Sequence, residues 1–306
     1  MRSIGRCYSE HAIKVADSYC SGPSDLSPDD LVPSIQTAVS SRYEVKLSTE
    51  KRFLIKITWG SLASRGFSIS ISDWPCSSSS FKNSGKIEKI KGSKAIESCS
   101  SRSEVFWDLS NATYDAGPEP VKGFYILVLI NSEIALFHGD KDEESNAKRC
   151  CDSDAKVAKQ SLISRCEYFS AGRCVFSGRA RFGEGGTSHD ITIRCAREGK
   201  GLKNWALWVG VDDKRDVIQV KRLQWNFRGN QTIFLDGLLV DMMWDVHGWL
   251  FDETSDGGGG GAVFMFRTRR GLDSRLWLEE KNLEQKEEEN VGFSLLIIAA
   301  RKNPDD

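Results

Sequence analysis

A chain of 306 residues, 40% of them hydrophobic, carries enough apolar side chains for one large core or two ordinary ones. Forty-two basic and 43 acidic side chains leave a net charge of -1, which excludes a global attraction to nucleic acid or anionic lipid and leaves only local patches for either. No apolar run approaches the roughly 18 residues of a spanning helix, since Phe124 to Ile130 and Leu295 to Ala300 are strand-sized, so no transmembrane segment is expected.

Residues 1–40 read as a lead-in. Charges at Arg2, Arg6, Glu10, His11, Lys14 and Asp17 interrupt any secretory core, so the expectation is an intracellular protein, cytoplasmic or nuclear, with no signal peptide. A short helix from Ser9 to Asp17 fits, and Pro23, Pro28 and Pro33 stop anything longer. From 41 to 139 the pattern has period two: Tyr43, Val45, Leu47; Phe53, Ile55, Ile57, Trp59; Phe67, Ile69, Ile71; Val105, Trp107, Leu109; then Phe124 to Ile130. Lys56 and Thr58 point away from their apolar neighbours, as in a sheet with one face in a core. Residues 140–161 are charged and read as a helical or flexible connector.

A second β lobe, 162–306, follows in a similar order. Val175 to Phe182, then Ile191, Ile193, Cys195, then Trp205, Leu207, Val209, Val211, then Leu223, Trp225, Phe227, then Thr232 to Leu235 match the five segments of the first lobe. Asn131-Ser132 and Asp236-Gly237 are both two-residue hairpin turn signals. A change of phase between Val220 and Leu223 predicts a bulge near Lys221-Arg222. A Gly-rich loop ending at Gly261, an acidic run from Glu279 to Glu289 and a closing pair of strands, Ala262 to Arg269 and Val291 to Ala300, complete the chain. The fold expected is therefore all-β, with two related antiparallel sandwich-like lobes produced by internal duplication.

Three long strings, Val105-Phe-Trp-Asp-Leu-Ser110, Tyr114 to Tyr125, and Arg222-Leu-Gln-Trp-Asn-Phe-Arg-Gly-Asn230, stand out as specific. With Asp236 to Phe251 and Cys7-Tyr-Ser-Glu-His11, they make nearly the whole chain resemble a plant family known only as domain of unknown function 868. Asn226 and Gln231 depart from the charged residues expected there, and the glycines at 257–261 look specific to a lineage. The resemblance implies a plant source and carries no activity, catalytic residue or cofactor with it.

Candidate chemistry is sparse. Asp241, Asp245 and His247 fall on the polar side of the strand Leu238 to Val246, where two carboxylates and an imidazole could hold a metal or act as acid and base; an outward face in water is the simpler explanation. His189-Asp190 lacks a nucleophile elbow, and Gly183, Gly185 and Gly186 match no phosphate loop. Asp73 and Asp212-Asp213, at strand ends, offer too few oxygens for calcium. Nine cysteines contain no C-x-x-C pair; Cys195 reads as a core residue, while Cys150-Cys151 beside Lys148 and Arg149 is a candidate for redox chemistry. Lys82, Lys86, Lys89, Lys91 and Lys94, and Arg267, Arg269 and Arg270, are local basic clusters. Of nine tryptophans, Trp59, Trp107, Trp205, Trp225 and Trp244 are assigned to core faces; Trp208 and Trp249, out of phase, are candidates for partner or ligand contact.

The expectation is a non-catalytic binding module for a protein partner or small ligand, without a cofactor and with nucleic acid disfavoured. A metal-dependent or hydrolytic enzyme using Asp241, Asp245 and His247, and peripheral membrane docking through basic loops, remain the alternatives.

Overall fold

The computed structural model describes residues 33–60, 66–74, 85–98, 101–140, 156–170, 174–183, 186–197, 205–212, 216–251, 260–269 and 292–300. The expected helix Ser9 to Asp17, Cys150, Cys151, Asp213, Lys82, Arg270 and the acidic run lie outside them.

In chain order the first strands are β1 (Gln36–Lys46), β2 (Arg52–Trp59), β3 (Phe67–Asp73), β4 (Gly85–Ile87), β5 (Lys91–Ser98) and β6 (Ser101–Asp108). They continue with β7 (Thr113–Tyr114), β8 (Pro120–Lys122), β9 (Tyr125–Ile130), β10 (Glu133–Gly139) and β11 (Lys159–Ser170). The remainder are β12 (Val175–Ala180), β13 (His189–Arg197), β14 (Trp205–Val211), β15 (Ile218–Val220), β16 (Arg228–Leu235), β17 (Leu238–Asp245), helix α1 (His247–Phe251), β18 (Ala262–Thr268) and β19 (Ser294–Ala300). The all-β class is as the alternation implies. Strand β2 illustrates why: Phe53, Ile55, Ile57 and Trp59 are fully buried, whereas Lys56 and Thr58 are half-buried on the other face.

Four meanders of four strands are arranged around β11. β1 to β4 and β16 to β19 belong to one nine-stranded sheet, in the order β16-β17-β18-β19-β11-β1-β2-β3-β4. The meanders β5-β6-β9-β10 and β12-β13-β14-β15 form two separate sheets, each packed on one half of the large one. Among the described residues the two largest cores lie in these two halves. One gathers Phe53, Trp59, Trp107 and Ile126, the other Phe176, Ile193, Met242 and Phe264. β11 splints the two halves, pairing antiparallel with β1 and parallel with β19. Its strand begins inside the segment expected to be a connector. In β9 all six residues are buried, the continuous apolar signature of a strand covered on both faces.

The two expected hairpin turns form. Asn131 and Ser132 have φ of 51° and 66°, and Asp236 and Gly237 have φ of 49° and 80°, closing β9-β10 and β16-β17 in the left-handed conformation that two-residue hairpins need.

One expected strand does not form. Leu223 to Phe227 is a turn, because the chain leaves β15 at Val220 and Arg222 adopts φ 54°; the change of phase marks that turn and not a bulge. Trp225, assigned to the core, is 79% exposed on it. Met242, Trp244 and Val246 resemble Val105, Trp107 and Leu109 in their local contacts. Trp107 Nε1 donates to the Lys89 carbonyl and Trp244 Nε1 to the Asn226 carbonyl, each at 2.8 Å and each across 18 residues. Both rings cover a glycine on the paired strand, Gly92 and Gly229, where a Cβ would collide with the indole. Each following aspartate pairs with the residue before that glycine: Asp108 with Lys91 at 3.2 Å, and Asp245 with Arg228 at 2.8 Å. The ladder then continues alike, with Leu109 N–H donating to Ile90 and Val246 N–H to Phe227.

Candidate functional site

A cleft of about 1540 Å³ opens over β11. β11 forms its floor; residues 115–121, leading into β8, form one wall, and β12 with residues 181–183 the other. Phe169, Phe182 and Phe293 supply apolar surface at its C-lobe end.

Charge is buried in the floor. Arg165 and Glu167 occupy alternate positions of β11, in phase with the core residue Phe169. Arg165 Nε donates to Glu167 Oε1 at 2.6 Å, and Arg165 Nη2 lies 2.5 Å from Glu119 Oε2 on the opposite wall. Gln36 Nε2 donates to the second Glu167 oxygen at 3.0 Å, and that oxygen is packed so closely under Gly178 that any side chain there would displace it. His138 Nε2 is buried without a hydrogen bond, 3.5 Å from Glu119 Oε1, while its Nδ1 meets the Tyr43 hydroxyl at 3.0 Å. One guanidinium thus serves two carboxylates, Glu167 enclosed and Glu119 still partly exposed to the cleft.

The two carboxyls respond in opposite directions. Burial works to raise Glu119, but the Arg165 guanidinium, with His138, outweighs it and holds the carboxyl at about 2. Glu167 is only 1% exposed, and there burial wins over Arg165, so its carboxyl titrates above the ordinary carboxylate range. Arg165 is held more firmly protonated, since Glu119 and Glu167 overcome the cost of its burial. Burial likewise pushes the Tyr43 phenol upward.

A second cluster stands at the cleft mouth. His189 Nδ1 is 2.6 Å from Asp212 Oδ2, and Nε2 is 3.0 Å from Asp236 Oδ2. Thr187 N–H donates to the same Asp236 oxygen at 2.9 Å. The imidazole therefore ties β13 to the end of β14 and to the β16-β17 turn. Burial opposes its charge, but Asp212 and Asp236 outweigh burial and raise its pKa.

The metal candidates are placed apart from this cleft floor. Asp241 and Asp245 do share the outward face of β17, opposite buried Val240, Met242 and Trp244. Asp241 accepts from Arg269 Nη2 at 2.6 Å and from Thr232 at 2.6 Å; Asp245 accepts from Arg228 at 2.8 Å and caps the His247 N–H at 3.0 Å. His247 opens α1, with its ring against Phe227 and Phe251. Among the described residues, no three His, Cys, Asp or Glu side chains gather to hold an ion. Trp208 is 7% exposed beneath Arg194, and Trp249 packs edge-on to Trp205 with centroids 4.9 Å apart. Cys195 is buried, which raises its thiol pKa well above the usual range. No helix among the described residues is long and apolar enough to cross a membrane.

Glu119, Arg165 and Glu167 escaped the sequence reading, although one signal was present: a charged pair in phase with Phe169, on the face that alternation assigns to a core. Glu119, in a loop with Pro118 and Pro120, offered none.

No curated protein matches the chain, and no solved structure matches it. A family model described as plant protein of unknown function (DUF868) matches residues 34–301, nearly the entire length, and the chain belongs to that family.

Proposed function

We infer that the protein is a non-catalytic binding module whose ligand or partner segment enters the cleft over β11. The observation that carries this reading is the largely buried Glu119, Arg165 and Glu167 cluster lining a cleft of about 1540 Å³. Burying three charges costs several kcal/mol per ion before pairing, and an apolar floor would stabilise the lobes at least as well. Their retention at a concave surface fits a recognition role, with apolar Phe169, Phe182 and Phe293 supplying contact area and the polar floor supplying orientation. Catalysis is a poorer fit, since both carboxylates are occupied by Arg165 and neither is free to exchange a proton with a substrate.

The recurring Gly and Trp corners of β5-β6 and β16-β17, with their matching ion pairs, support descent of the two lobes from one duplicated unit. On that reading the cleft is the junction of two copies, with β11 as splint.

Native mass spectrometry of tagged protein purified from plant tissue tests the binding role. A retained small molecule or stoichiometric partner is expected, and Val121→Trp, which narrows the cleft from an exposed wall position, should abolish it without lowering Tm. Undiminished binding by Val121→Trp would place the function elsewhere on the molecule.

A further inference from the structure

A strand at the rim of a sheet offers unpaired N–H and C=O groups, and proteins blunt such rims by shortness, lysine, proline, bulges or covering chain. β4 and β15 have three residues each. β5 carries Lys91 and Lys94. β10 breaks register between Ile134 and Leu136, and Val175 of β12 is bridged by Pro33. Among the described residues, β16 has none of these devices. It ends the nine-stranded sheet, contains eight residues without lysine or proline, and pairs with β17 in unbroken register from Arg228 and Asp245 to Leu235 and Leu238. Its one charge, Arg228, is matched by Asp245, and Phe234 stands 70% exposed on its outer face. The contrast with β5 is informative, because β5 sits against Trp107 as β16 sits against Trp244, and only β5 carries lysines.

The strand is also its own complement. Antiparallel neighbours place directly opposed side chains on the same face, so a two-fold axis must pass midway between the two copies of one residue. With the axis on Gln231, Arg228 of one copy meets Phe234 of the other, Asn230 meets Thr232, Gly229 meets Ile233, and Gln231 meets itself. That register gives a cation over an aromatic ring, an amide with a hydroxyl and an amide with an amide, and brings no like charges together. An axis on Thr232 would set Asn230 against Phe234 and Gln231 against Ile233, and would leave Arg228 outside. We propose that β16 is a homodimer interface, joining two nine-stranded sheets into one continuous sheet about a two-fold axis at Gln231. A C2 contact of this kind closes on itself and so caps the open rim. One strand pair is small beside the roughly 1,200 Å² of stable interfaces, so the dimer is weak and concentration-dependent.

Light scattering coupled to size exclusion, on the full chain over a broad concentration range, should show the mass rise from 34.2 kDa toward twice that value. Gln231→Lys opposes two ammonium groups at the axis and Gln231→Glu two carboxylates; each alone should weaken dimerisation about tenfold or more, and mixing the two should restore it. Phe234→Lys, solvent-facing in the monomer, should act like Gln231→Lys, with Tm of all three checked to confirm folding. A wild-type chain that stays at 34.2 kDa throughout overturns the proposal. So does a dimer indifferent to Gln231→Lys, a Lys and Glu mixture that fails to reassociate, or a monomeric chain that instead takes up unrelated extended peptides along β16.

Discussion

Arg165→Met isolates the buried charge cluster. Met fills much of the volume of the arginine stem but leaves Glu119 and Glu167 without their shared cation; their side chains are 15% and 1% exposed. Removing one partner of a buried ion pair costs about 3–5 kcal/mol. An independent figure comes from Glu119: a carboxyl held at about 2 instead of its ordinary 4.5 contributes about 3 kcal/mol at neutral pH. Because the folded value is depressed, that contribution is present above 4.5 and is lost as pH falls toward 2. Glu167 has the opposite sign: its folded pKa is raised, so its ionisation opposes folding near neutrality and the opposition is relieved as pH falls through that raised value. Arg165→Met should therefore be most damaging at pH 7 and less so at pH 5, because the raised pKa of Glu167 makes its protonation easier as pH falls. Urea unfolding followed by tryptophan fluorescence at both pH values measures this. Adding Glu119→Gln and Glu167→Gln to Arg165→Met should recover more than half the loss. A loss under about 1 kcal/mol at pH 7, or no recovery in the triple variant, would refute the view of Arg165 as the neutralising centre of a largely buried cluster.

Three further outcomes are expected. His189 has a raised pKa, so its contribution is complete below about 6.5 and declines as pH rises through the folded value; Tm should drop over that interval, and His189→Gln should flatten the drop. Gly229→Ala forces a methyl into the Trp244 ring and should cost about 1–3 kcal/mol by calorimetry, and Gly92→Ala against Trp107 should behave alike; a neutral result would mean that the ring is free to move aside. Gly237→Ala meets nothing within 4 Å but must hold φ near 80°, so its cost of about 1–2 kcal/mol in urea unfolding would be conformational alone.

Local pattern was enough for some features and not for others. The strand class, the inward run Val240, Met242, Trp244 and the two left-handed hairpin turns were legible in the sequence, because period-two alternation and turn residues act over a few neighbours. Alternation failed at Trp225, which has the phase of Leu223 and Phe227 but sits where Arg222 turns the chain out of the sheet. At Arg165 and Glu167 the phase is that of Phe169, but their charges are accommodated there only because Glu119 and Gln36 arrive from distant segments to satisfy them. Sequence by itself determined most of the strands and their apolar faces, since those follow from backbone geometry and side-chain transfer. Only the tertiary structure decided that β11 runs parallel to β19, that one arginine answers two buried carboxylates, and that β16 is left at the rim; each depends on which remote segments meet, and no local pattern encodes that.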